Sequence, residues 1–149
     1  MATLDQAIAL ASQAHLGQKD KSGCPYILHP LRIMMRLEQD EERMVAVLHD
    51  VVEDTGITFA RLQEMGFSET VLEALDHLTH RPDESYEAYI ERIAPHPLAR
   101  RVKLLDLEDN MDIRRLASPM TERDQARLQK YQRSWERLRA WSLDPDRSR

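Results

Sequence analysis

Apolar residues recur along most of this chain at helical spacing, and no stretch alternates convincingly with a period of two. Thr3 precedes Leu4, Ala7, Ile8, Ala11 and Ala14, with Gln6 three residues beyond it, the spacing of a capping box. This predicts a first helix that stops near Leu16 and Gly17, followed by a polar loop containing Gly23 and Pro25. Pro30 suits a first helical turn, and Leu31, Ile33, Met34 and Leu37 form the apolar side of a second helix. Asp40 is the expected cap of a third helix, with Met44, Val45, Val47, Leu48 and Val51 turned inward and Gly56 at its end. Thr58, Ser68 and Ser85 read as caps of three shorter helices, the first two split by Gly66. Pro97 opens a longer helix to about Met111, and a last one runs from near Thr121 to about Trp141. The prediction is all-α: one helical bundle of about seven or eight helices over residues 1–143, then a polar, flexible C-terminal tail, 144–149.

Composition narrows the picture. The 149 residues are the size of one ordinary domain. With only 5% aromatic residues, the core must be built from Leu, Val, Ile, Ala and Met. A formal net charge of −5 argues against nucleic acid as the main partner, since such domains carry a basic excess. It leaves room for a small phosphorylated substrate, which a local basic patch or a metal can serve. The single cysteine, Cys24, permits no intrachain disulfide and has no neighbouring Cys/His pair, which fits a reducing compartment. No stretch approaches the roughly 18 apolar residues of a membrane span, and no basic signal-peptide region precedes Asp5. A cytoplasmic protein without a membrane partner is expected, and a homo-oligomer is compatible with the sequence.

The chemistry concentrates in four places: His29 before Pro30, the run His49-Asp50-Val51-Val52-Glu53-Asp54, Asp106 behind Val102-Lys103, and Asp109-Asn110. On a helix Asp50, Glu53 and Asp54 share a face, among neighbours apolar enough to be buried. Like charges there are costly without a counter-charge, and a divalent cation is the simplest remedy. His49 and Asp50 point roughly 100° apart on a helix, so one ion reaches both only from between those directions. His29 and Asp106 could complete such a site after folding. Two His and two Asp suit Mn²⁺ or Fe²⁺, or Zn²⁺, better than Ca²⁺. Plainer readings stand beside this one. A His-Asp dipeptide is common, His29 fits a capped loop histidine, and Asp106 fits an ion pair with Lys103. A carboxylate flanked by Lys103 and Asn110 at i−3 and i+4 is nonetheless closer to a phosphate-binding surface than to an ordinary core face.

Four motifs occur in order: AHLGQ at 14–18, GCPYILHP at 23–30, LHDVVEDT at 48–55 and VKLLDLEDN at 102–110. Together they resemble the HD hydrolase domain of the RelA/SpoT stringent-response enzymes and the related small alarmone hydrolases, over residues 4 to 115. The resemblance implies an HD-type helical fold, a bound Mn²⁺, and His29, His49, Asp50 and Asp106 as its ligands. It implies Glu53 and Asp54 as the catalytic pair that works on the attacking water, and Asn110 near the substrate. The implied reaction is a metal-dependent phosphohydrolysis, removal of the 3′-diphosphate from ppGpp or a related nucleotide by metal-activated water. Lys21 and Lys103 are candidates to neutralise phosphate, against the alternative of surface lysines. Tyr26 is a candidate to stack a base, against simple packing of the loop. Two positions depart from the family: Asp20 and Asp112 stand where arginines are usual, which should weaken binding of a doubly diphosphorylated nucleotide. Alternatives are a nucleotide phosphatase that does not act on alarmones and a non-catalytic nucleotide sensor.

Overall fold

Short polar side chains at helix starts take up backbone N–H groups that have no partner within the helix. A computed structural model describes residues 1–116, 118–144 and 146, so 145 and 147–149 of the expected tail lie outside the described residues. The helices are α1 (Leu4–Ala14), α2 (Leu28–Met35), α3 (Asp40–Leu48), α4 (Val51–Asp54), α5 (Phe59–Glu64), α6 (Glu69–Leu78), α7 (Tyr86–Ile93), α8 (Pro97–Asn110) and α9 (Glu122–Leu143). A 3₁₀ turn covers Ile113–Arg115. Thr3 accepts from the Gln6 N–H while the Gln6 side chain accepts from that of Thr3, closing the expected box. Thr121 closes a like box with Asp124 at α9, and Thr58, Ser68 and Ser85 cap α5, α6 and α7 by accepting one backbone N–H each, each cap contributing about 1 kcal/mol. Pro97 occupies the first turn of α8, behind a His96 side chain that accepts from Ala99.

One helix expected from the sequence is two. The run from Asp40 toward Gly56 breaks at His49-Asp50, between α3 and α4. The His49 side chain supplies the physical reason. Its Nδ1 lies 2.6 Å from the Ala46 carbonyl, the acceptor that the Asp50 N–H would use in a continuous helix. The break turns Asp50 off the α3 axis and starts α4 behind it.

Helix α3 is the centre of the bundle. Val45, Ala46, Val47 and Leu48 are all fully buried, so it is covered on every side, by α1, α2, α6 and α8. Truncating Leu48 to alanine would cost about 2–5 kcal/mol. Helix α9 lies along α8 and α7, burying Leu138 and Ser134. Gly66 has φ of +91°, and a Cβ there would press on the Ala2 nitrogen at 3.3 Å. That nitrogen donates to the Gly66 carbonyl at 2.9 Å, tying the start of the chain to the α5–α6 turn. Among the described residues the fold is all-helical, and the only β-type pairing is one bridge between Lys19 and Pro25 in the α1–α2 loop. No described helix is long and apolar enough to cross a membrane.

Candidate metal centre and its cavity

His29 enters on the first turn of α2, His49 and Asp50 at the α3–α4 break, and Asp106 on α8. Packing of α2, α3 and α8 brings these side chains to one point. His29 Nε2 lies 2.9 Å from Asp106 Oδ1 and 4.0 Å from Asp50 Oδ2. His49 Nε2 lies 3.0 Å from Asp50 Oδ2 and 3.5 Å from Asp106 Oδ1. Bonds of roughly 2.0–2.2 Å to one ion would put neighbouring donors about 3 Å apart, so this spacing fits a divalent metal. Among the described residues, donor atoms of His29, His49 and Asp106 all fall within 4.8 Å of one another.

The hydrogen bonds around the cluster sharpen that fit. Donation from His49 Nδ1 to Ala46 leaves a lone pair on Nε2, facing two carboxylate oxygens. This buried Nε2 has no hydrogen-bond partner. Lone pairs that close repel unless a proton or a cation stands between them. Burial would lower the His49 imidazole, but the Asp50 and Asp106 charges overcome it and hold it well above its ordinary value. Burial likewise works against Asp106, yet the Lys103 ammonium and both imidazoles keep its carboxyl well below the usual range. Asp50, partly buried, is pulled down to about 2, chiefly by His49. Protons held this way are ones that a divalent cation at the same point would displace.

The remaining predicted residues separate into two groups. Tyr26 donates its hydroxyl to Asp50 Oδ2, with its ring between His15 and His29. Asn110 donates to Asp106 Oδ1 at 3.1 Å. Lys103 is buried beneath the cluster, its Nζ 2.8 Å from Asp106 Oδ2 and 5.1 Å from the Tyr89 ring centre. It therefore faces Asp106 and the protein interior. Glu53 and Asp54 stand exposed at the rim on α4. Partial burial and the Asp50 charge raise both carboxyls above their ordinary values. Lys21 is exposed and lines an adjoining cavity of about 320 Å³, shared with Tyr26, Asn110, Arg115, Arg127 and Tyr131.

Asp20 and Asp112 also line this cavity, but neither is a bare anion. Asp20 Oδ1 accepts from the Ser22 N–H, the Ser22 hydroxyl and the Cys24 N–H, bracing its own loop, while Oδ2 lies 3.9 Å from Arg115. Asp112 is gripped by the Arg114 guanidinium, which holds its carboxyl down to about 2. Cations Lys19, Lys21, Arg115 and Arg127 share the wall with the acids Asp20, Asp112 and Asp124, Arg115 being bonded to Asp109 and Arg127 to Asp124.

The sequence singles out Asp109 beside Asn110 but gives it no partner, and the structure makes it a hub beside the cluster. Asp109 Oδ2 takes His29 Nδ1 at 2.6 Å, both Asp109 oxygens take Arg32, and Arg115 adds a contact at 3.0 Å. It lies three residues after Asp106 on the same helix. His15 braces the α1–α2 loop through Gln18 at 2.9 Å. His77, His80 and His96 are half-buried. His77 and His96 lie with rings 4.4 Å apart, and His80 packs on Tyr89.

Known proteins bear out the fold. No family model matches the chain. It is 34% identical over 121 residues to a guanosine-3′,5′-bis(diphosphate) 3′-pyrophosphohydrolase of Aquifex aeolicus, covering 73% of this chain and 17% of that protein. It is 32% identical over 140 residues to a probable GTP pyrophosphokinase of Mycobacterium leprae, covering 85% of this chain and 18% of that protein. Over 77 residues it is 40% identical to the bifunctional (p)ppGpp synthase/hydrolase SpoT of Escherichia coli, covering 49% of this chain and 11% of that protein. The chain thus spans less than a fifth of the length of these relatives. A solved structure of a metazoan ortholog of SpoT superposes with a TM-score of 0.76 at 23% identity, over 91% of this chain and 85% of that one. The chain has the all-helical fold of that structure, gathers two histidines and two aspartates from α2, the α3–α4 break and α8, and resembles part of the RelA/SpoT-type enzymes.

Proposed function

We propose that this chain is a metal-dependent phosphohydrolase that acts on a nucleotide carrying a 3′-diphosphate, of the guanosine 3′,5′-bis(diphosphate) class, with Mn²⁺ as its metal. One observation carries the reading: the buried His49 Nε2, without a hydrogen bond, faces two carboxylates beside a cavity that Lys19 and Lys21 line. The name of the Aquifex relative supports the substrate class, and so does the metazoan SpoT ortholog, a protein that hydrolyses ppGpp.

In this reading His29, His49, Asp50 and Asp106 hold the ion. When bound, such an ion supplies a Lewis acid for a phosphoryl oxygen and lowers the pKa of water. The rest is done by this chain's own groups. Glu53 and Asp54, raised by burial and by Asp50, hold and move a proton at the rim. Tyr26 and Asn110 touch the cluster through Asp50 and Asp106 and also line the cavity, so they join the reacting end of the substrate to its nucleoside end. Lys21, Arg115 and Arg127 offer charge to phosphate oxygens. Lys103 acts through Asp106, compensating its charge.

The test is turnover with Mn²⁺ over a panel of guanosine and adenosine 3′,5′-bis(diphosphates), NADPH and plain nucleoside triphosphates, with pyrophosphate and orthophosphate detected separately. Pyrophosphate released from the 3′-diphosphates alone is the expected result. Orthophosphate released from other nucleotides would make the protein a general nucleotide phosphatase. Tight binding of the panel without turnover would make it a sensor.

A further inference from the structure

The Asp109 hub lies outside the donor set yet is bonded to it. Its carboxylate has a side chain 12% exposed and serves three residues from two directions. Oδ2 faces His29 Nδ1 at 2.6 Å, and Arg32 Nε and an Arg32 terminal nitrogen lie 2.8 and 3.0 Å from Oδ1 and Oδ2. Arg115 reaches both the Asp109 carboxylate and its backbone carbonyl. Two guanidinium groups thus fix the plane of the carboxylate, and the carboxylate fixes the imidazole.

We propose that Asp109 is a positioning residue for the metal: it holds the proton of His29 on Nδ1 and so turns the Nε2 lone pair toward Asp50 and Asp106. The inference rests on the metal reading above. An imidazole binds a metal through a nitrogen that carries no proton, and the hydrogen bond at the other nitrogen decides which one that is. At His49 the Ala46 carbonyl does this; at His29 a carboxylate does, which also strengthens the donor. An asparagine at 109 offers one oxygen where the carboxylate offers two, and without its charge the acceptor for His29 Nδ1 is weaker or, with the amide nitrogen in the Oδ2 place, lost. Either way the hold on the Nδ1 proton is loosened, and a proton on Nε2 would block the ion.

The experiment is Mn²⁺ titration of the wild-type chain and Asp109→Asn by calorimetry, with thermal unfolding of both. The expected result is binding weakened roughly 10–100-fold in Asp109→Asn. Wild-type-like binding, within about threefold, would overturn the proposal even if the Tm fell, because Asp109 would then only staple α2 to α8. No binding to the wild-type chain would sink the metal reading itself, and this proposal with it. Should Asp109→Asn fail to fold, the Zn²⁺-loaded wild-type chain decides by proton–nitrogen NMR. A slowly exchanging proton on His29 Nδ1 is expected, and a protonated Nε2 or a metal-bound Nδ1 would overturn the proposal.

Discussion

Two regions of this molecule hold a carboxylate in the grip of arginine, and they differ in what is left unsatisfied. At the α6–α7 connection Arg92 bonds both oxygens of Glu84 at 2.7 and 2.8 Å and donates to the carbonyls of Asp76, His77 and Thr79. Those bonds pin the connection with every donor aimed at an acceptor. At the α2–α3–α8 junction Asp109 is equally well held, but beyond it stand a partnerless buried His49 Nε2 and the crowded acids Asp50 and Asp106. Satisfied networks stabilise a fold. A network whose carboxylate is held by two arginines while acids and the buried His49 Nε2 crowd beside it without a hydrogen bond between them is arranged for a ligand.

Mutations can break this comparison, and the largest effect belongs at the cluster. Asp50→Asn removes a charge facing both histidines, and turnover in a pyrophosphate-release assay should fall roughly a thousandfold or more. Glu53→Gln should lower turnover by roughly 10²–10⁴-fold while Mn²⁺ affinity stays near wild type, which separates proton handling from metal holding. Arg92→Ala should do the opposite. It leaves Glu84 and three carbonyls short of a donor and should cost about 2–3 kcal/mol, a Tm drop of roughly 6–10 °C by calorimetry, with Mn²⁺ affinity unchanged. The smallest effect is in pH. The Arg92 bonds hold the Glu84 carboxyl down to about 2, below the unfolded value of about 4.3. Its contribution is therefore fully present above about pH 5 and lost as pH falls toward 2. The stability gap between wild type and Glu84→Gln, measured by urea unfolding, should narrow over that range.

Much of the fold was legible because caps and apolar spacing are local. Thr3, Thr58, Ser68, Ser85 and Thr121 each cap where the pattern placed them. The α3–α4 break was not legible, because it depends on the His49 ring reaching back to Ala46 rather than on any helix-breaking residue. Of the candidate site, the ordered motifs pointed to residues that the fold gathers at one junction. Asp109 stood out in the sequence beside Asn110, but its partners did not, because Arg32 lies 77 residues away along the chain. The arginines that neutralise Asp20 and Asp112 escaped for different reasons. Arg115 meets Asp20 only through the fold, while Arg114 is a near neighbour of Asp112 that could have been seen.

The most direct test of the central claim, that the unsatisfied end of this network is a metal site, is calorimetric titration of Mn²⁺ into the wild-type chain and into His49→Ala. The account predicts a single ion per chain for the wild type, bound with release of protons, and no measurable binding once the His49 nitrogen is gone. Binding of equal strength in both proteins, or in neither, would contradict it.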